Sequence, residues 1–301
     1  MLAKLLRIMI ASQILFGASL GLGLAIWQHW PLWIAVLTGV GFPFFVMMLV
    51  DTYSGIVSRG PEPVWQWLRS VWGEYLAGFT VFLFRQPWAR SAPGVWPATV
   101  SPKRIPVVLV HGYMCNHRIW DTIAKGLRAR GHDVIAVDLE PLFASIDDYT
   151  PILERAVQSL LTHSGQKKVA LVGHSMGGLA IRAWLRMNGS ARVARVITLG
   201  TPHAGTQIAQ HFATPNGSQM TWGSPWLKAL AENESRSTLQ LFRIALTLQD
   251  NIVYPQRAQV LQGIAPQVFE GIGHVQMCLD PAVMAWLQAQ LADVMVDVRA
   301  A

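Results

Sequence analysis

Lys168-Val-Ala-Leu-Val-Gly173-His174-Ser175-Met176-Gly177-Gly178 decides how the chain folds. A short apolar, β-branched run breaks at Gly173, and Leu179, Ala180, Ala183, Trp184 and Met187 follow at helical spacing, so the stretch reads strand, sharp turn, helix. In Gly173-x-Ser175-x-Gly177 the turn is so tight that the flanking positions must lack side chains, which pushes the serine oxygen out above the sheet. Ser175 is therefore the candidate nucleophile.

Outward from this turn, strand-like runs at 106–110, 134–137, 169–172 and 196–199 alternate with helix-like segments at 119–130, 147–163 and 178–188. Gly131 and Gly189 are placed as helix stops. The alternation predicts an α/β fold, a mostly parallel sheet with helices on both faces. No cluster has metal-ligand spacing and no glycine-rich phosphate loop is present.

The first strand-like run enters His111-Gly112-Tyr113-Met114, and Thr201-Pro202-His203-Ala204-Gly205-Thr206 and Gln219-Met220 before Gly223-Ser224-Pro225-Trp226-Leu227 follow the serine turn. With these motifs in this order, residues 105–301 resemble the α/β-hydrolase superfamily, and within it bacterial triacylglycerol lipases and related lipid esterases. The resemblance implies an oxyanion hole made of the backbone amides of Tyr113 and Met176. Two fixed amides of this kind stabilise the charge that develops on an acyl oxygen, typically by about 3–4 kcal/mol per donor. It also implies the chain order serine, acid, histidine. His274 follows the strand-like Gln267–Glu270 and the turn Gly271-Ile-Gly273, and precedes a terminal helix from about Pro281, where the family carries its base. Asp250 follows Ile244–Leu248 and matches the family pattern Asp-x-x-Val-x-Pro. Its competitors are placed worse: Glu270 falls within a strand, Asp280 before Pro281 reads as a helix cap, and Asp138 precedes the serine. His111, His174 and His203 read as scaffold. Between Thr206 and Trp226 the rhythm is lost, and the scattered Phe212, Met220, Trp222 and Trp226 suit either a lid over the acyl site or a surface excursion.

The N-terminal third is of another kind. Mean hydropathy is +0.32 and only 14% of residues are charged, too apolar for a purely soluble protein. Ile8 to Trp27 and Pro31 to Val50 are each about 20 residues without a charge, each long enough to cross a bilayer core. They are joined by Gln28-His29-Trp30, with Trp27, Trp30 and Trp33 where an interfacial aromatic belt would lie. A signal peptide is the alternative for the first run, but the run exceeds a usual h-region and a second span follows at once. Gly17-x-x-x-Gly21 suits close helix approach. Lys4 and Arg7 precede the first span, the turn has neither Lys nor Arg, and the basic residues from Arg59 onward follow the second, so both termini are expected in the cytoplasm.

From Pro63 to Phe84 an apolar stripe containing Val64, Trp65, Leu68, Trp72 and Leu76 suits a helix lying in the membrane interface or packed on the catalytic domain. Gln86 to Pro102, rich in proline, reads as a linker. The expected organisation is thus a transmembrane helical hairpin (1–59), an amphipathic helix and linker (60–104) and the α/β-hydrolase domain (105–301). The net charge of +7 is concentrated in residues 1–104, where eight Lys or Arg face Asp51, Glu62 and Glu74. The Ser175 region has no basic run interleaved with aromatics, so a membrane surface and not nucleic acid is the expected partner. Cys115 and Cys278 are expected as free thiols in a reducing compartment.

These readings converge on a membrane-anchored serine hydrolase acting on a lipid-like or small carboxylic ester without a cofactor. Thioesterase, lysophospholipase and acyltransferase activities would use the same machinery, and a non-catalytic binder on the same fold is the rival from another class. Every triad and oxyanion candidate lies after residue 105, so the anchor is expected to contribute proximity, not chemistry.

Overall fold

The computed structural model describes residues 1–90, 94–292 and 294. Six strands form one parallel sheet: β1 Val107–Val110, β2 Val134–Ala136, β3 Val169–His174, β4 Val193–Leu199, β5 Phe242–Thr247 and β6 Gln267–Phe269, in the order β2-β1-β3-β4-β5-β6. In the central strands both faces are covered, which is why β1 and β3 read as unbroken apolar runs rather than as alternations. Val108, Val110 and Leu171 point to one side, against helices α5 Thr150–Ser164 and α6 Met176–Asn188. Val107, Leu109 and Val172 point to the other, against α4 Asp121–Arg128 and α10 Pro281–Ala292. The expected α/β-hydrolase sheet is therefore present, with strand and helix limits within a few residues of those read from periodicity. Asp280 caps α10 by accepting the Ala282 amide at 2.8 Å, the role its position before proline suggests.

The sheet is preceded by α1 Leu2–Gln28, α2 Trp33–Val57 and α3 Val64–Gly78, the last running into one π-helical stretch, Phe79–Arg85. By length and composition α1 and α2 can cross a membrane. They pack antiparallel through small residues. A side-chain carbon on Gly17 would lie 2.5 Å from Phe42 Cβ, and one on Gly21 would meet the Thr38 hydroxyl and the Ala35 backbone. Their turn carries exposed Trp27, Trp30 and Trp33, and the apolar residues on the rest of their outer surface are largely exposed.

Helix α3 packs on the catalytic domain, but with its polar side inward. Gln66, Ser70 and Glu74 are buried at four-residue spacing, together with Trp67, while Val64, Trp65, Leu68, Trp72 and Leu76 face outward. The apolar stripe that suited either an interfacial or a packed helix thus faces outward, and the packing is made by the opposite, polar face. The proline-rich stretch after it is tied down as well. Gln86 is fully buried and accepts the Asn116 amide at 2.5 Å, and Trp96 pairs with Val134 in an antiparallel bridge. Beyond β4, a 3₁₀ turn at Gln207–His211 leads to α7 Pro215–Met220, α8 Pro225–Glu232 and α9 Arg236–Leu239.

Candidate active site

Ser175 stands between the end of β3 and the start of α6 with φ 54° and ψ −130°. An L-residue is held there only when its surroundings over-determine it, and such strain gathers at functional turns. The surroundings are tight: a side-chain carbon on Gly177 would lie 2.6 Å from the His111 carbonyl oxygen, and one on Gly112 would lie 2.6 Å from Ser175 Cβ. Glycine at these positions lets the loop after β1 close directly over the serine. Met176 is the first residue of α6, so its amide is among those that a helix start leaves without an intrahelical partner. Tyr113 sits on the facing loop, its ring stacked on Phe212 at 5.1 Å with 8° between the planes.

His274 and Asp250 come together from the loops after β6 and β5. His274 Nδ1 lies 2.8 Å from Asp250 Oδ2, and both residues are buried. Asp250 Oδ1 accepts the amides of Ile252 and Val253 at 2.9 and 2.6 Å, which fixes the carboxylate as an acceptor aimed at the imidazole. Burial alone would lower the His274 pKa, but the charge and hydrogen bond of Asp250, and the charge of Glu74, outweigh it and raise the pKa above its usual value.

The other acids are engaged elsewhere. Asp138 accepts from the His117 amide at 2.7 Å and pairs with its ring at 3.0 Å, and Glu270 accepts from Gln66 at 2.8 Å. The other motif histidines brace the backbone. His111 donates to the Gly112 carbonyl and accepts the Leu139 amide, His174 donates to the His274 carbonyl at 3.0 Å, and His203 meets the Thr198 hydroxyl. Burial lowers the pKa of all three, those of His174 and His203 well below the usual value. Cys115 and Cys278 are free and buried, and burial pushes the Cys115 thiol up to about 12 and the Cys278 thiol well above its usual value.

A cavity of about 460 Å³ opens onto Ser175, His274 and Tyr113, with Phe212 and Met220 of the 206–226 segment on one wall. Phe212 and Met220 of that segment reach the cavity while they and Trp226 also pack on the sheet core and Trp222 is exposed, so the segment carries features of both readings. Another wall comes from α1, α2, the end of α3 and the π-helical stretch; the sequence reading gives α1 and α2 an anchoring role alone and leaves 63–84 as an interfacial or a packed helix.

Two groups of residues that hold the site's loops are absent from the sequence reading. The first supports the loop after His274. The Glu74 carboxylate accepts the amides of Val275 and Gln276, each at 2.9 Å, immediately after His274. Gly273 admits it, since a side-chain carbon there would lie 2.6 Å from Glu74 Cβ. Burial raises the Glu74 pKa against the opposing pull of His274 and the two amides. The second group holds the Asp250 loop. Asn251 donates to Ser54 of α2 at 3.0 Å and accepts the His274 amide at 3.3 Å, while Gln66 accepts from Gln249 at 3.0 Å. The one sequence signal for these contacts is the polar repeat Gln66, Ser70, Glu74 along a helix whose other residues, Arg69 apart, are apolar or small.

Residues 105–216 match the family described as the alpha/beta hydrolase fold. The chain is 34% identical to a triacylglycerol lipase of Burkholderia plantarii over 130 residues, 40% of this chain and 36% of that protein. It is also 34% identical to a triacylglycerol lipase of Pseudarthrobacter phenanthrenivorans over 120 residues, 37% of each. The chain thus spans little more than a third of the length of these relatives. Among solved structures, the mature form of a Bacillus licheniformis lipase aligns with a TM-score of 0.57 at 19% identity, covering 67% of this chain and 99% of that one. This likeness establishes the fold.

Proposed function

We propose that this α/β-hydrolase-fold chain, which resembles bacterial triacylglycerol lipases over its motif region, is a membrane-anchored serine hydrolase of lipid-like carboxylic esters. The observation that carries the proposal is the buried 2.8 Å contact between Asp250 and His274 Nδ1, in a site whose cavity also holds Ser175 on its strained turn. With Nδ1 held by the carboxylate, Nε2 is the nitrogen left for the serine.

In the forward step Ser175 Oγ attacks the acyl carbonyl carbon as His274 takes the hydroxyl proton. The tetrahedral oxyanion is held by the Tyr113 and Met176 amides. As the intermediate collapses, the ester C–O bond breaks and the imidazolium gives its proton to the departing alkoxide. Water, deprotonated by the same histidine, then cleaves the acyl-serine to free acid and restores the serine. None of these steps calls on a cofactor.

The anchor reading rests on α1 and α2, each apolar and long enough to span, and on Lys4 and Arg7 at the end nearest the catalytic domain opposite a turn without Lys or Arg. That asymmetry is what supports reading the domain as cytoplasmic, against the inner membrane. Labelling by a fluorophosphonate, present in the full chain and lost in Ser175→Ala, tests the chemistry. Labelling that persists in Ser175→Ala, or is absent from the intact protein, overturns it.

A further inference from the structure

The cavity over Ser175 is lined on its far side by two matched helical stripes. Leu6, Met9, Ile10 and Gln13 of α1 stand at i, i+3, i+4 and i+7, and Pro43, Val46, Met47 and Val50 of α2 repeat that spacing. Such spacing puts each set on one helix face, over about 10 Å at 1.5 Å per residue. Of the other polar lining groups, Glu74, Asn251, Ser175 and His274 belong to the domain side of the cavity, and Asp51 follows Val50 at the end of the α2 stripe. Where the cavity meets the outside is equally one-sided. Of its lining residues only Met9 and Val50 are exposed, at 43% and 57%, and both belong to the hairpin. The lining contributed by the catalytic domain is buried or half-buried. The mouth therefore lies in the apolar surface of the helices that would sit in lipid, and not on the polar surface of the domain.

Resting on the hydrolase reading above, we propose that the hairpin is itself half of the substrate site. A single long acyl chain of a bilayer lipid ester enters sideways between Met9 and Val50, lies along the α1 and α2 stripes, and brings its carbonyl to Ser175. A chain entering this way passes from lipid into an equally apolar channel, so it crosses no water and exposes no apolar surface. The preferred substrate class is then a membrane-resident long-chain ester, and short esters that reach the serine forgo the hairpin contacts. Partial closure of the site by α1 and α2 makes a separate lid unnecessary.

The test uses the full chain reconstituted in phosphatidylcholine vesicles, with active sites counted by fluorophosphonate. In Ile10→Trp and Met47→Trp, which fill the two stripes, the ratio of kcat/KM for p-nitrophenyl palmitate to that for p-nitrophenyl acetate falls by roughly tenfold or more, because differences in hydrophobic pocket contacts are read in that ratio. Leu37→Trp, on the exposed outer surface of α2, leaves the ratio unchanged. A second measurement needs no variant: a fluorophosphonate with a long alkyl chain ending in a diazirine, bound to the wild-type serine and photolysed, crosslinks to α1 or α2. Unchanged ratios in both tryptophan variants at full site titre overturn the inference, as do crosslinks confined to residues 105–292. Failure of the wild-type protein to hydrolyse either ester or take the label overturns the hydrolase reading, and this inference with it.

Discussion

Replacing Glu74 by glutamine isolates what the N-terminal helix does for the base. The carboxylate accepts two amides at 2.9 Å from the residues that follow His274, whereas glutamine retains a single acceptor oxygen and turns an N–H₂ toward the second amide. One hydrogen bond to a charged acceptor is lost and one buried N–H is left unpaired, each worth about 1–3 kcal/mol. Partial relaxation of the loop puts the net cost near 2 kcal/mol, a fall in Tm of roughly 4–8 °C for a domain of this size. The pH profile carries the electrostatic half of the argument. Glu74 contributes to the raised pKa of His274, and hydrolysis requires the neutral imidazole, so activity is lost as pH falls through that pKa. Removing the charge lowers the pKa, and the acidic limb of kcat/KM in Glu74→Gln moves to lower pH. Glu74→Asp keeps the charge on a shorter side chain, so it disturbs the loop while leaving the limb closer to wild type. The assay is kcat/KM for a short p-nitrophenyl ester across pH 5 to 9, alongside thermal unfolding in detergent. An acidic limb and a Tm that both stay at wild-type values in Glu74→Gln would refute the reasoning.

Asp250→Asn lowers kcat by a factor on the order of 10⁴, because the imidazole loses its orienting acceptor; near-normal turnover would move the acid elsewhere, although Asp138 and Glu270 already have other partners. Stability falls on acidification below about pH 6.5. His111, His174 and His203 are held neutral by burial, with pKa values below the usual 6.5, so below that value the unfolded chain takes up protons that the fold refuses. The slope reaches up to about 1.4 kcal/mol per pH unit for each histidine, and His274, whose pKa is raised, works in the opposite sense. A Tm that does not change between pH 7.5 and pH 5 would contradict this. A chain truncated to 101–301 fails to give soluble, esterase-active protein, and ready hydrolysis of p-nitrophenyl acetate by that fragment would show that the contacts from Ser54, Gln66, Glu74 and Gln86 are dispensable.

The last of these reverses what the sequence suggested, and the reason is physical. The serine turn and the β/α rhythm were legible because each is local: a strained turn needs its glycines, and a buried parallel strand needs an unbroken apolar run, whereas the proposed order Ser175, Asp250, His274 comes from the family resemblance. The contribution of residues 1–104 is not local. In a water-soluble protein the apolar side of an amphipathic helix marks its buried face, and that rule misassigns α3. Its apolar stripe is turned outward and its polar side, Gln66, Ser70 and Glu74, lies against the catalytic loops. The inversion fits the proposed membrane setting, since apolar side chains lose nothing by facing hydrocarbon while buried polar groups must find partners. The cavity stripes of α1 and α2 were hidden for a related reason: Ile10 and Met47, which line the cavity, have the same chemistry as Ile14 and Met48, which face outward, so composition offers no contrast between substrate wall and lipid surface.

The polar contacts escape that ambiguity. A carboxylate such as Glu74, on a largely apolar helix, is costly to bury unless fixed donors meet it, and here the two amides after His274 donate to it. Ser54 reaches the same histidine from α2 through Asn251. The proposed anchor and the candidate site are thereby joined by hydrogen bonds that a tether would not need. A helix held only for proximity could slide or tilt without consequence for the triad, whereas displacement of α2 or α3 here pulls directly on the loops that carry Asp250 and His274. Catalysis in this chain is accordingly expected to depend on how the hairpin sits in its bilayer, and vesicles of different acyl thickness should change kcat for even a short ester that never touches the α1 and α2 stripes.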